Sequence, residues 1–321
     1  MKEIEGKRIL ITGGTGSLGT ALVERLLSGV SGNPSRVTVF SRGELKQSQL
    51  HASFPDKRLN LIIGDVRDRH AIELALQNTD VIINAAAMKR VETCEENPAE
   101  AIKTNCLGTI NIVETIQKYN LPVETMVGIS SDKGVHPVNV YGSTKMIQEK
   151  ITLAGNKVIP GTRFIAVCYG NVMGSSGSVI PSFQALIQKG KPLTIHDPEM
   201  TRFLISLDHA VDTILEALQY AQRGEIYVPI LPAATVGDIA DVIIGDKTVE
   251  KVTIGRGSGE KIDETLINVI EVMCTLKRGD YYVVSPEVQA SPAIDREYVS
   301  CDYLISKSEL KELFKGHGFI E

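Results

Sequence analysis

Residues 11–19 read ITGGTGSLG. They overlap the end of a short apolar run, RILIT (8–12), and lead into a helical pattern beginning near Thr20. Glycine at 13, 16 and 19 allows a tight turn and close backbone approach, and a helix N-terminus offers free N–H groups to a pyrophosphate. A glycine-rich turn alone is weak evidence, because it can be no more than a turn. Its surroundings strengthen it. RVTVF (36–40), LNLII (59–63), DVIINAA (80–86), VETMVGIS (123–130) and TRFIAVCYG (162–170) are short apolar runs without strict alternation. Strands buried on both faces have that appearance. Longer helical stretches separate them, such as 97–120, with Pro98 near its start. The alternation predicts a Rossmann-type doubly wound parallel sheet, in which ligands bind beyond the carboxyl ends of the strands. Gly13, Thr15, Gly16, Ser17, Leu18 and Gly19 are then candidate contacts for a dinucleotide cofactor.

After about residue 170 the pattern changes. PLTI, EIYVP and KVTIG mix with a helix over 208–222, which predicts a smaller α/β lobe. The expected division is a cofactor domain over 1–170, contributing catalytic residues, and a substrate lobe over 171–321, with some chain crossing back. There is no internal repeat. The chain has 321 residues, enough for a large core, with 43% hydrophobic and 23% charged residues. A net charge of -5 argues against a nucleic-acid binder, though local cations can still hold an anionic small ligand. The apolar stretches are strand-length, so no membrane-spanning helix is expected. The start MKEIEGKRILIT lacks the apolar core of a signal peptide, which points to the cytoplasm. The cysteines Cys94, Cys106, Cys168, Cys274 and Cys301 are scattered and read as reduced thiols. No histidine pair has metal-ligand spacing, and no metal is expected.

The end of the second strand speaks to the cofactor. An NAD site usually has a carboxylate there for the ribose 2′-hydroxyl. Here the chain reads VFSRGELKQ, placing Ser41, Arg42 and Lys46 at that point, with Glu44 inside the following turn. Arginine can bind a 2′-phosphate bidentately, so NADP is the expected cofactor. A merely solvated Arg42 is the plainer alternative. Asp65 and Val66, after the third strand, are candidates to flank the adenine. The small residues Ala85, Ala86 and Ala87, after the fourth, would let the cofactor lie against the backbone. Small residues also serve helix–sheet packing. Asn105, in a helix, is a candidate support for the site.

Chemistry concentrates in SSDKGVHPVNVYGSTK (130–145). Tyr141 and Lys145 are four apart, on one face of a helix. A tyrosine with a pKa of about 10 needs roughly 4 kcal/mol of help to ionise near neutrality. A neighbouring ammonium and a cationic nicotinamide ring both supply it, making Tyr141 a plausible general base. YLISK (303–307) repeats the spacing, but Tyr303 follows no sheet strand and no strand-end hydroxyl. Ser131 stands at the end of the fifth strand, ten residues before Tyr141, and can bond the same substrate hydroxyl.

Together these segments resemble an extended short-chain dehydrogenase/reductase. Within that superfamily the chain is similar to the UDP-N-acetylglucosamine 4,6-dehydratases of polysaccharide, flagellin-sugar and nonulosonate biosynthesis. SRGELKQ, GDVRD, AAAMKRVETCEENPAEAIKTN, SSDKGVHPVNVYGSTK, CYGNVMGSSGSVIPSF and DPEMTRFLISL carry the likeness over most of 9–207, with fainter echoes in GEIYVP and GSGEKIDE. The resemblance implies NADP, a UDP-N-acetylglucosamine substrate and a homo-oligomer. It gives Asp132 and Lys133 the extra acid and base that removing water across C5 and C6 requires. In the implied cycle Tyr141 takes the 4-hydroxyl proton as C4 is oxidised. Lys133, its pKa lowered by crowding, removes the C5 proton, Asp132 protonates the departing hydroxyl, and C6 is reduced. A solvated loop pair is the alternative for Asp132 and Lys133.

The family places Lys89 near the active site, though an ion pair with Glu92 or Glu95 explains it almost as well. Asn171, Ser178 and Val179 are candidates for the diphosphate. Related dehydratases often have a basic residue in this glycine stretch, where Ser175 and Ser176 stand here. Met200 and Thr201 are candidates for the uracil pocket, and Arg202, Glu260 and Lys261 for diphosphate or ribose. A nucleotide-sugar 4-epimerase or reductase would use Tyr141 and leave Asp132 and Lys133 idle. A non-catalytic NADP-binding scaffold would not need Tyr141 with Lys145. The family includes enzymes that retain and that invert C5, and these residues do not separate them.

Overall fold

The computed structural model describes residues 1–257 and 259–321; Ser258, within GSGEKIDE, lies outside the described residues. Strand β1 (Arg8–Thr12) shows why the apolar runs pair as they do. Ile9 and Ile11 pack into one apolar cluster with Leu22, Leu26 and Leu218, whereas Leu10 packs into another with Ile72, Ile82 and Ile112. A strand buried on both faces has no polar side to alternate. Each such side chain contributes roughly 1.5–3 kcal/mol by leaving water.

In chain order β1 is followed by α1 (Ser17–Leu27), β2 (Arg36–Ser41), α2 (Glu44–Ser53), β3 (Leu59–Ile63), α3 (Arg69–Ala75) and β4 (Val81–Asn84). Next come α4 (Val91–Glu96), α5 (Pro98–Ala101), a π-helical turn (Ile102–Leu107), α6 (Gly108–Tyr119) and β5 (Thr125–Ile129). A 3-10 turn (Asp132–Gly134), α7 (Val140–Val158) and β6 (Arg163–Val167) complete the regular alternation. Strands β1 to β6 are parallel, in the order β3-β2-β1-β4-β5-β6. The order reverses between β1 and β4, which opens the crevice where such sheets bind ligands.

The second half supplies β7 (Asn171–Val172), α8 (Val179–Gln188), β8 (Leu193–Ile195), β9 (Thr201–Ile205), α9 (Leu207–Tyr220) and β10 (Ile226–Pro229). It continues with β11 (Ala233–Thr235), α10 (Val236–Ile244), β12 (Lys251–Thr253), β13 (Thr265–Ile267) and α11 (Val269–Val272). The last elements are β14 (Thr275–Arg278), β15 (Tyr281–Val284), β16 (Tyr298–Val299) and α12 (Lys307–Gly316). Strand β10 joins the main sheet beside β6, and β15 and β14 extend it antiparallel to nine strands. The remaining strands form three small sheets; β8 and parts of β9 and β11 cover a separate core of Ile180, Phe183, Leu193, Ile239, Ile243 and Phe314, whereas β13 and β16 pack into the main core.

Three local expectations shift. Helix α1 begins at Ser17 rather than near Thr20, because Gly16 takes the extended N-cap conformation. The 97–120 helix is not uniform: residues 102–107 form the π turn. Tyr303 does follow a strand, the two-residue β16, but it packs on Tyr298 at 4.6 Å in the apolar core. No helix among the described residues is long and apolar enough to cross a membrane.

Candidate active site

At the carboxyl end of β1 the loop turns through Gly13, whose φ is +68°. A Cβ there would come within 2.9 Å of the Ala86 backbone, so only glycine lets the loops after β1 and β4 touch. Thr12 ties the two strands: its hydroxyl donates 2.7 Å to Asn84 Oδ1 and accepts 3.2 Å from the Ala86 amide. Gly16 has no side chain with which to cap α1. The N–H groups opening that helix, at Ser17, Leu18 and Gly19, are thus presented to the crevice. Thr15 lies on the turn before them. The loop fits a dinucleotide pyrophosphate. Across the crevice the Ser17 hydroxyl accepts 3.2 Å from the Ser176 amide.

Ser41 ends β2 and is held by Gln47, whose side-chain N–H group donates to its carbonyl and hydroxyl at 3.0 Å. The Arg42 side chain is 61% exposed and only loosely placed, 3.8 Å from Asp65. Lys46 lies exposed on the first turn of α2. Asp65 is drawn mainly to Arg67 at 2.5 Å, and the Val66 carbonyl accepts 2.9 Å from Asn111. Ala85 and Ala87 stay partly open beside the crevice.

The candidate catalytic stretch is built at the end of β5. Ser131 caps the 3-10 turn by accepting 3.3 Å from the Lys133 amide, and its hydroxyl donates 2.8 Å to Asp132 Oδ1. Asn139 caps α7 by accepting 2.7 Å from the Gly142 amide. Any Cβ at Gly142 would meet the Lys133 carbonyl at 2.1 Å, so glycine there lets α7 press against the turn. Tyr141 and Lys145 therefore lie on the helix face turned to Asp132 and Lys133, and all except Lys133 are less than a tenth exposed. Burial pushes the Tyr141 phenol up to about 12, against the pull of the Lys133 ammonium.

The two lysines have unlike partners. Lys145 Nζ donates to the Ile129 carbonyl at 2.5 Å and to Gln148 Oε1 at 2.6 Å, both neutral. Burial pulls its pKa down to about 8. Lys133 Nζ lies 3.3 Å from Asp132 Oδ1, 3.3 Å from Asn171 Oδ1 and 3.2 Å from Glu264 Oε1. Burial opposes its charge, but Asp132 and Glu264 outweigh that and raise it to about 12. Crowding was expected to lower the pKa of Lys133. The resting structure does the reverse, because the crowding groups are carboxylates.

Asn105, buried in the π turn, accepts 2.8 Å from the Met88 amide and donates 3.0 Å to its carbonyl and 2.8 Å to Thr144. It thus joins α7 to the loop after β4. Lys89, next to Met88, is exposed, and partial desolvation followed by the Arg90 charge lowers its pKa. Among the described residues it has no ion pair, and Glu95 instead accepts 2.6 Å from the Val140 amide. In the second half, Ser178 stands at the N-cap of α8 with its hydroxyl buried and unpartnered, and Val179 opens that helix. Met200 and Thr201 are buried, and the Thr201 hydroxyl donates 2.6 Å to Asp263. Arg202 donates to the carbonyls of Thr201, Lys261 and Ile262. Glu260 accepts 2.9 Å from Gly257 and meets His196 at 2.7 Å. Sequence reasoning did not find Glu264 or Gln148. A carboxylate just before a short strand, or an amide one turn past Lys145, carries no local mark of a partner elsewhere.

The doubly wound sheet and the turn after β5, with a dehydratase relative at 38% identity, place the molecule in the extended short-chain dehydrogenase/reductase class. More closely, the chain belongs to the polysaccharide biosynthesis protein family, whose model matches residues 9–286. It is 38% identical over 287 residues to the UDP-N-acetylglucosamine 4,6-dehydratase (inverting) of Campylobacter jejuni, covering 88% of this chain and 84% of that one. It is 40% identical over 281 residues to a UDP-glucose 4-epimerase of Rickettsia conorii, covering 86% and 82%. The crystal structure of Pen from Bacillus thuringiensis superposes with a TM-score of 0.93 at 33% identity, over 99% of each chain.

Proposed function

We propose that this protein is an NADP-dependent 4,6-dehydratase of UDP-N-acetylglucosamine, with the cofactor bound by the first 170 residues and the nucleotide sugar by the remainder. The observation that carries this reading is the Asp132–Lys133 pair, 3.3 Å apart beside Tyr141. Oxidation at C4 alone needs Tyr141 and Lys145, whereas elimination also needs an acid and a base. The similarity to the Campylobacter dehydratase supports the same choice.

The bound nicotinamide supplies a hydride acceptor for C4 and a hydride donor for C6. The protein moves the protons. Tyr141, protonated at rest, first releases its proton to solvent, a step the ammonium of Lys145 favours, and the phenolate then takes the proton of the 4-hydroxyl with Ser131 beside it. The 4-ketone then acidifies C5. One proton moved along the Lys133–Asp132 contact converts the ion pair into a neutral amine and a neutral acid. Lys133 accepts the C5 proton as the C5–C6 double bond forms. Asp132 gives its proton to the hydroxyl leaving C6, and water departs. As C6 is reduced, C5 takes a solvent-exchangeable proton from the Lys133 ammonium, and the proton held by Tyr141 passes through solvent to Lys133, which restores the ion pair and the phenolate.

Arg42 and Lys46, exposed at the end of β2, favour a 2′-phosphate on the cofactor. Asn171, the N-terminus of α8 with Ser178 and Val179, and Lys89 supply polar contacts to the nucleotide sugar. Exposed Ile102, Leu107, Met146 and Ile147, on the helices of 98–119 and 140–158, support a homo-oligomer.

Mass spectrometry of UDP-N-acetylglucosamine incubated with the protein and NADP in deuterated water tests the proposal. Loss of one water, with deuterium at C5, is expected. The Rickettsia relatives favour an epimerase as the second reading. Epimerised UDP-sugar of unchanged mass would establish it and overturn the roles of Asp132 and Lys133.

A further inference from the structure

Glu264 enters the site from far along the chain. It precedes β13 and is 2% exposed, and its backbone is fixed to Ser300 by two 2.9 Å bonds. A carboxylate this deep is costly unless paired. Three cations face it: Lys133 at 3.2 Å, Lys261 at 2.9 Å and, more distantly, Arg202 at 3.9 Å. Lys261 also donates to the carbonyls of Asp132, at 3.2 Å, and Val135, at 2.8 Å. Segment 261–264 thus grips the catalytic turn by its backbone while presenting a counterion to its lysine. The other charged or titratable groups around Lys133 are Asp132, on its own turn, Tyr141 from α7 and Arg202 from β9.

We propose that Glu264 is a positioning residue: a carboxylate from the second lobe that, with Asp132 and Asn171, holds Lys133 as an ammonium ion directed at Asp132. The Lys133 ammonium donates to Asp132 and Asn171 at 3.3 Å and is held by charge against Glu264 at 3.2 Å. Asp132 alone leaves Nζ free to swing away; Glu264 on another side confines it to the contact along which the proton must move. The separation of roles is also chemical. Glu264 is matched by Lys261 and Arg202, so it stays anionic, while Asp132 is left to exchange the proton.

The kinetic half of this inference rests on the dehydratase reading; the Lys133–Glu264 coupling does not. The test uses full-length protein carrying lysine labelled with carbon-13 at Cε, with the Lys133 signal assigned by its loss in Lys133→Met. In Glu264→Gln the proton affinity of Lys133 should fall by at least about tenfold, with Glu264→Asp between the two. For water loss, kcat should fall at least about tenfold with KM within about threefold, and the alkaline limb of the kcat profile should move to lower pH. An unchanged Lys133 titration in Glu264→Gln overturns the proposal, as does a rise in KM at constant kcat. If Glu264→Gln does not fold, an Asp variant whose Lys133 titrates like the parent's overturns it. If the parent loses no water but the Lys133 titration still shifts, the dehydratase reading fails and the coupling stands.

Discussion

Lys133 and Lys145 lie in the same sixteen-residue stretch, and each side chain is largely withdrawn from water. Their protonation is opposite. Lys145 faces a carbonyl and an amide, which accept its hydrogen bonds without repaying the desolvation of its charge, and it sits near 8. Lys133 faces two carboxylates and rises to about 12. Burial alone therefore predicts nothing about a lysine; the charge of its partners decides the sign. The contrast suits the chemistry. In the proposed reaction Lys145 adjusts its charge near neutrality, while Lys133 holds its proton until Asp132 takes it.

Three experiments would break or sharpen that contrast. The largest effect is expected from Tyr141→Phe, which removes the phenol facing Lys133 and Asp132: kcat should fall about 10³–10⁴-fold with the fold and nucleotide binding intact. Retention of more than a tenth of the activity would remove Tyr141 from the proton path. Asp132→Asn should lower water loss about 10³-fold while leaving C4 oxidation possible, so reduced nicotinamide accumulates on adding substrate and is seen by its fluorescence. Normal water loss in that variant would mean the pair does not share a proton.

The third experiment concerns stability. The unfolded chain holds the Lys145 proton up to about 10.5, whereas the folded protein releases it near 8. Between those pH values the unfolded state binds more protons, so stability rises with pH, by up to about 3 kcal/mol. Above pH 10 the direction reverses, since Tyr141 keeps its proton to about 12 in the fold and loses it in the unfolded chain. Denaturant titrations across this range should show the rise in the parent and a flat response over pH 8–10 in Lys145→Met. A rise of equal size in the variant would assign it to another group.

Much of this was legible before the structure. The apolar runs without alternation gave six parallel strands, because a strand buried on both faces must be apolar throughout. ITGGTGSLG gave the turn after β1, since its glycines answer a backbone requirement that is local. Ser131, Asp132, Lys133, Tyr141 and Lys145 are likewise close in sequence, and a turn followed by a helix brings them together. What was not legible is non-local. EIYVP looked like a strand of a minor lobe, yet β10 extends the main sheet by pairing with β6, a neighbour about sixty residues away that its own residues do not announce. The π turn at 102–107 has no pattern of its own either; it is fixed by Asn105 reaching Met88 and Thr144. Glu264 was invisible for the same reason, and with it the state of Lys133.

The grip of segment 261–264 on the catalytic turn also sets an order of events during synthesis. With translation at about 5–20 residues per second, on the order of ten seconds separate the emergence of Lys133 from that of Glu264. For that interval the nascent chain can complete its parallel sheet, α7 and the Tyr141–Lys145 face while Lys133 has Asp132 as its only carboxylate. A ribosome-bound chain ending before residue 260 would therefore carry a finished cofactor crevice and an unfinished proton relay.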